Sequence, residues 1–111
     1  MEIYSPGELN ERVTIEQITR TPDGQGGYTE AWSAVDTVWA MVRPKSGYER
    51  AQSGQVDAPV TYLVVIRYRS GMSETNRLLW RGKILNIRFI HDPGPRRQFL
   101  PIDCDTSLSN G

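Results

Sequence analysis

The hydrophobic pattern of this chain is most committed over Val60 to Arg69, VTYLVVIRYR, a nearly continuous apolar run. High β-branched and aromatic content predicts a strand there. Thr61, Leu63, Val65 and Arg67 share one face and Tyr62, Val64, Ile66 and Tyr68 the other, and both sets are largely apolar. A strand that is apolar on both faces is covered on both, so it belongs in the middle of a sheet or barrel.

The same reading supplies its neighbours. Arg12 to Thr19 alternates Val13 and Ile15 against Arg12, Thr14 and Glu16, a strand with one wet face. Ile18 falls on the wrong parity, which a bulge or an early strand end near Gln17 would resolve. TPDGQGG at 21 to 27 supplies the glycines of a hairpin turn. Tyr28 to Trp32 returns as a second strand, and Thr37 to Arg43 is a third strand or the same one resumed after a break at 33 to 36, with Pro44 ending it. Beyond the central strand, residues 70 to 76 form a turn, and RLLW at 77 to 80 opens a hairpin closed by Arg81-Gly82. Its partner is Lys83 to His91, with Leu85, Ile87 and Phe89 on one face and Ile84, Asn86, Arg88 and Ile90 on the other. Asp92-Pro93-Gly94-Pro95 is a turn, and Gln98 to Cys104 a last strand that Pro101 restricts to an edge or a bulge. Short strands joined by Gly and Pro turns, with no helical pattern, predict an all-β fold, a barrel or sandwich.

Composition narrows the classes. At 111 residues the chain makes one domain with one core. Its 13 basic and 13 acidic side chains cancel, so the overall balance attracts neither a polyanion nor a membrane surface. Lysine occurs only at 45 and 83, the other basic residues being arginine. No apolar run approaches the roughly 20 residues that span a bilayer, and the N-terminus lacks a signal-peptide layout. With Cys104 alone, no internal disulfide forms, and a reducing, soluble setting is the simplest expectation.

Candidate chemistry is sparse. An enzyme would have to pair His91, beside Asp92, with Cys104 in one cleft. Zinc needs about four Cys or His ligands, and the chain holds one of each. Asp103 and Asp105 flank Cys104 as a solvated strand end rather than a metal site, and no cofactor is expected. The Gly-rich 23 to 27 stretch has no Gly-Lys-Ser/Thr and no following helix, so it reads as a turn and not a phosphate cradle. A single-strand-binding barrel could use Arg67, Tyr68, Arg69, Arg77, Trp80, Arg81 and Arg88, provided an uneven charge distribution made a positive groove.

The remaining candidate is the polar interval Lys45 to Ala58, KSGYERAQSGQVDA, between Pro44 and Pro59, long for a strand connection. Fixing 14 such residues costs on the order of 15 to 25 kcal/mol. Burying its few apolar side chains, Tyr48, Ala51, Val56 and Ala58, returns only about 5 kcal/mol. It is expected to order where a partner packs on it.

Taken in order, GELNERVTIEQ, DGQGGYTEAW, TVWAMVRPKSGYE, VTYLVVIRYRSGM, RLLWRGKILNI and DPGPRRQFLPIDC resemble the head–tail joining (head-completion or stopper) proteins of tailed bacteriophages, from Gly7 to Cys104. Similar proteins occur in prophages and gene transfer agents. The resemblance implies a single-domain barrel of about six to seven strands with a long inserted loop at 45 to 58, an N-terminal arm at 1 to 11 and a tail at 105 to 111. It implies a non-enzymatic neck component, assembled in the bacterial host cytoplasm, forming a ring of six-fold or alternatively twelve-fold symmetry. That ring would sit between portal or adaptor proteins and the tail terminator, with packaged double-stranded DNA in its channel and no membrane. In the family the long loop faces that channel, which makes Tyr48, Glu49, Arg50, Gln52 and Gln55 the candidate gating residues here. With Lys45 and Arg50 against Glu49 and Asp57, the loop is near neutral, as suits a gate that DNA passes without sticking. Ile3, Tyr4, Leu9 and Tyr68 are the candidate interface residues, and a mere barrel cap is the alternative role for the N-terminal arm. A monomeric nucleic-acid-binding barrel remains the rival function.

Overall fold

A computed structural model describes residues 6–46 and 60–106. A single 3-10 turn, Pro6–Glu8, precedes six strands: β1 (Glu11–Pro22), β2 (Tyr28–Ser46), β3 (Thr61–Arg67), β4 (Arg77–Trp80), β5 (Lys83–Ile90) and β6 (Phe99–Asp105). They close into a barrel in the order β1-β2-β3-β6-β5-β4, with every neighbouring pair antiparallel. The expected all-β barrel forms, with six strands among the described residues, within the expected six to seven.

The interior is the set that alternation selects. Val13, Ile15, Ala40, Tyr62, Val64, Ile66, Leu78, Leu85, Ile87, Leu100, Ile102 and Cys104 make one buried cluster. As expected, β3 lies between two partners, β2 and β6. Its interior side is Tyr62, Val64 and Ile66. Its other side is also covered, since Val65 and its register partner Met41 are buried outside that cluster. The ion pair Glu8–Arg43, at 3.6 Å, brings the first described residues onto this outer face, and Leu9 is buried as well.

Several boundaries differ from the sequence reading, each for a local reason. β1 does not end near Gln17 but runs to Pro22. The irregularity lies between Ile15 and Glu16, and the extra residue is Val35 on the partner strand. Ile18 is thus truly on the outside, half-buried across from Trp32. β2 is one strand of 19 residues, the bulge at Val35 replacing the break. Pro44 does not end it either; Pro44 pairs with Tyr62, and a second irregularity at Lys45 carries the strand on to Ser46. β3 is shorter than the apolar run and stops at Arg67.

In β5 strict alternation fails at Arg88. The register shifts between Ile87 and Phe89, which turns Phe89 outward to 52% exposure and lets Ile90 pack on the interior instead. Pro101 occupies neither an edge nor a bulge; it pairs with Val65 in β6, between β3 and β5. In an antiparallel ladder a residue's N–H and C=O point the same way. The Pro101 carbonyl accepts from the His91 N–H, just beyond the end of β5, so its missing donor faces a ladder that is already finishing. Asp105 is in β6 and Thr106 is hydrogen-bonded to Val60, so the tail begins later than residue 105.

The turns follow the sequence. Arg81 and Gly82 both take positive φ, 50° and 77°, as a two-residue hairpin loop demands. At 23 to 27 the Asp23 carboxylate accepts from the amides of Gln25 (2.8 Å) and Gly27 (3.1 Å). Those amides are the groups a phosphate would need, so this loop is a self-satisfied turn.

Candidate functional site

The channel-loop residues Tyr48, Glu49, Arg50, Gln52 and Gln55, and the arm residues Ile3 and Tyr4, lie outside the described residues. The described part of the site is the root from which the loop leaves and to which it returns. Ser46 and Thr61 are register partners, so the intervening segment starts and ends at adjacent positions on the barrel wall. The return is pinned twice: the Val60 N–H donates to Thr106 Oγ1 at 3.0 Å, and the Thr106 N–H donates to the Val60 carbonyl at 3.1 Å.

The departure is held by charge. Lys45 Nζ and His91 Nε2 each lie 3.0 Å from Asp103, on separate carboxylate oxygens. Burial pushes the Asp103 carboxyl up, but the hydrogen bonds and charges of Lys45 and His91 outweigh it and hold it below its ordinary value. Next along β6, Asp105 accepts from Arg88 Nε at 2.7 Å, which raises the Arg88 pKa against the opposing effect of burial. The two aspartates flanking Cys104 are therefore occupied by cationic side chains.

This geometry separates the candidate nucleophile from its base. His91 meets Asp103 on the outer face, whereas Cys104, the next residue of an alternating strand, points into the core and is fully buried. Burial, with Asp103 and Asp105 nearby, pushes the Cys104 thiol up to about 12, so it is no nucleophile at neutral pH.

The basic residues of the single-strand-binding reading are mostly engaged. Arg69 donates to Asp36, Arg77 to Glu16, Arg81 to Glu11 and Arg88 to Asp105. Trp80 is also held, its indole N–H donating to Glu11 at 3.0 Å and its ring edge-on to Tyr62 at 5.4 Å. That indole bond, against some desolvation and with help from Arg81, lowers the Glu11 pKa. Of the interface candidates, Leu9 is buried and Tyr68 packs on the interior cluster with the Arg97 guanidinium 5.8 Å from its ring.

Comparison with known proteins decides the class. Residues 4–107 match the family model described as phage head completion protein. The chain belongs to that family. It is 33% identical over 87 residues to head completion protein gp7 of Enterobacteria phage HK97, covering 74% of this chain and 78% of that one. A chain in the virion of a native gene transfer agent particle superposes with a TM-score of 0.70 at 26% identity, over 90% of this chain and 96% of that one. A Shigella flexneri 2a protein known from a solution structure gives 0.72 at 29% identity, over 97% and 100%. As a head completion protein, the chain is a structural component of a phage or phage-like virion.

Other surface features of this head completion protein carry no obvious sequence signal. Trp32, under the Arg77 guanidinium at 4.1 Å, lines a shallow groove with Ile18 and Asn76 where the β1–β2 hairpin leaves the barrel. Trp39 is 52% exposed with Arg12 stacked on it at 4.7 Å. Alternation marks Trp39 as outward-facing, but nothing in the sequence shows that the hairpin extends past the barrel rim.

Proposed function

We propose that this head completion protein assembles as a ring in the virion neck, between portal or adaptor proteins and the tail terminator. There it completes the DNA-filled head, helps retain the DNA and offers the tail its docking platform. The role is non-enzymatic. The observation that carries the reading, beyond family membership, is the root of the 45–58 loop. Its two ends spring from paired positions, Ser46 and Thr61, and are locked by Thr106 and the Lys45–Asp103–His91 cluster. A segment rooted at paired positions leaves and rejoins the barrel wall at one place, where a ring would hold it. Tyr48, Glu49, Arg50, Gln52 and Gln55 are its channel-facing candidates, with Ile3 and Tyr4 toward neighbouring subunits; of the other two interface candidates, Leu9 is buried and Tyr68 packs on the interior cluster, so both serve the barrel itself.

Adding the purified protein to DNA-filled, tailless heads tests the assembly role: the protein binds them and restores tail attachment. Deleting residues 47 to 56, within the rooted segment, leaves head binding intact but lets DNA escape before tails attach. Unchanged DNA retention and tail attachment in the deletion variant sinks the gate assignment. The rival, a monomeric nucleic-acid-binding barrel, instead requires salt-dependent binding of short single strands, and the carboxylate partners of Arg69, Arg77, Arg81 and Arg88 weigh against it.

A further inference from the structure

The β1–β2 hairpin is longer than the barrel needs. β4 pairs with β1 only over Thr14 to Glu16, and β3 pairs with β2 only from Ala40 onward. Gln17–Pro22 and Tyr28–Ser33 therefore pair with each other alone, as a two-stranded ribbon. Such a ribbon is marginal in water by itself, and its open edges are templates for another strand.

The backbone direction along those edges can be read off. The Asp23 N–H donates to the Gly27 carbonyl across the ribbon, and the Glu16 carbonyl accepts from Asn76 on the far side. By alternation, Tyr28, Glu30 and Trp32 of β2 turn their N–H and C=O groups outward, as do Ile18 and Arg20 of β1. Among the described residues none of these outward groups has a backbone partner. The β2 edge from Tyr28 to Ala34 carries no proline and one charge, Glu30. One ribbon face, Gln17, Thr19, Thr21, Thr29, Ala31 and Ser33, is uncharged throughout and small except at Gln17. The β2 edge thus lacks a proline block, and the β1 edge carries its proline, Pro22, only at the tip, opposite Tyr28.

We propose that the β2 edge, Tyr28–Ala34, takes up the β1 edge, Ile18–Pro22, of a second copy of this chain, so that successive ribbons join into a continuous sheet. The inference rests on the ring reading above. Charge selects the pairing. Within one chain Arg20 Nε lies 2.8 Å from Glu30 across the ribbon. Joining β2 to the next copy's β1 in the same register puts Glu30 beside a second Arg20, giving alternating signs around the assembly. Joining β2 to β2 brings Glu30 toward its own copy, and β1 to β1 does the same for Arg20, both with like charges facing. The favoured contact is head to tail, the kind that closes a ring.

Proline at residue 30 tests the backbone part. Because the Glu30 N–H points away from β1, Glu30→Pro spares the ribbon's own ladder but removes a donor from the open edge. Glu30→Thr keeps that donor and serves as the control for lost charge. The pairing itself is read by mixing Ala31→Cys copies with Thr19→Cys copies on DNA-filled heads and oxidising them. The proposal expects a disulfide-linked dimer from the mixture and little from either variant alone. Adding Glu30→Pro to the Ala31→Cys copies lowers the yield about tenfold, the loss of one edge hydrogen bond, and adding Glu30→Thr lowers it less. Equal cross-linking by Ala31→Cys alone overturns the head-to-tail pairing. A ring of the expected mass without the cross-link, or a cross-link to a protein of different mass, overturns edge pairing while leaving the ring reading in place. Absence of any self-association on heads removes both.

Discussion

Ile66→Ala should cost about 3 to 4 kcal/mol of folding stability, the range for truncating a fully buried aliphatic side chain without collapse of the site. Ile66 has no exposure, pairs with Ala40 on one side and Leu100 on the other, and belongs to the single interior cluster. The cavity left in a closed barrel has nowhere to go, because hydrogen-bonded neighbours on both sides fix the backbone. Against a typical total of about 5 to 15 kcal/mol the loss is large, and it moves the thermal midpoint by on the order of 10 to 20 °C. Urea unfolding followed by tryptophan fluorescence measures it. Phe89→Ala, at a position the sequence pattern assigns to the same core, provides the contrast: Phe89 is half exposed, so its truncation costs about 1 kcal/mol or less. Equal losses at the two positions would contradict the bulge at Arg88.

That pair of residues also shows how far alternation can be trusted. It located the six described strands, though it left β2 open as one strand or two, and it identified β3 as a central one because a two-faced apolar run has few other homes. It failed wherever an extra residue entered a ladder. Val35 and Arg88 are the residues that reset the phase, and neither is a glycine or other residue type that marks a bulge. A bulge is decided by which partner residue lies across, and that is tertiary information. Pro101 misled for a related reason. Its missing donor is costless only because β5 ends at Ile90, and no local signal around Pro101 conveys where another strand stops.

The candidate site was legible in one respect and hidden in another. The polar interval after Pro44 stood out because its apolar content cannot offset the cost of ordering it, and the ordered motifs around it resembled the family that the comparisons then established. The root of that interval could not be read. Lys45, His91 and Asp103 come from three strands or strand ends with no spacing relationship, and only closure of the barrel brings them together. The free ribbon edge was hidden for the same reason: a strand's length is visible in sequence, but the length of its neighbours' overlap is not.

Raising the pH from 8 to about 11 should destabilise the fold through Cys104. Burial, reinforced by Asp103 and Asp105, lifts the thiol from 9.0 to about 12 in the folded protein. An unfolded chain releases this proton near the ordinary thiol pKa, whereas the folded one still holds it. The folded state therefore binds more protons than the unfolded state between about 9 and 12. The contribution of Cys104 is fully present below pH 9 and is lost as pH rises toward 12, at up to about 1.4 kcal/mol per pH unit. Denaturant unfolding at pH 8, 9.5 and 11 measures that slope, and Cys104→Ala isolates it. The variant starts lower, having lost a buried side chain, but its stability falls less steeply over the same interval. Parallel slopes for the two proteins would mean that the buried thiol does not govern the alkaline limit. A thiol reagent supplies an independent reading: at pH 8 the folded protein reacts only through opening, so modification of Cys104 tracks the unfolding equilibrium and accelerates in Ile66→Ala by the factor that the lost stability predicts.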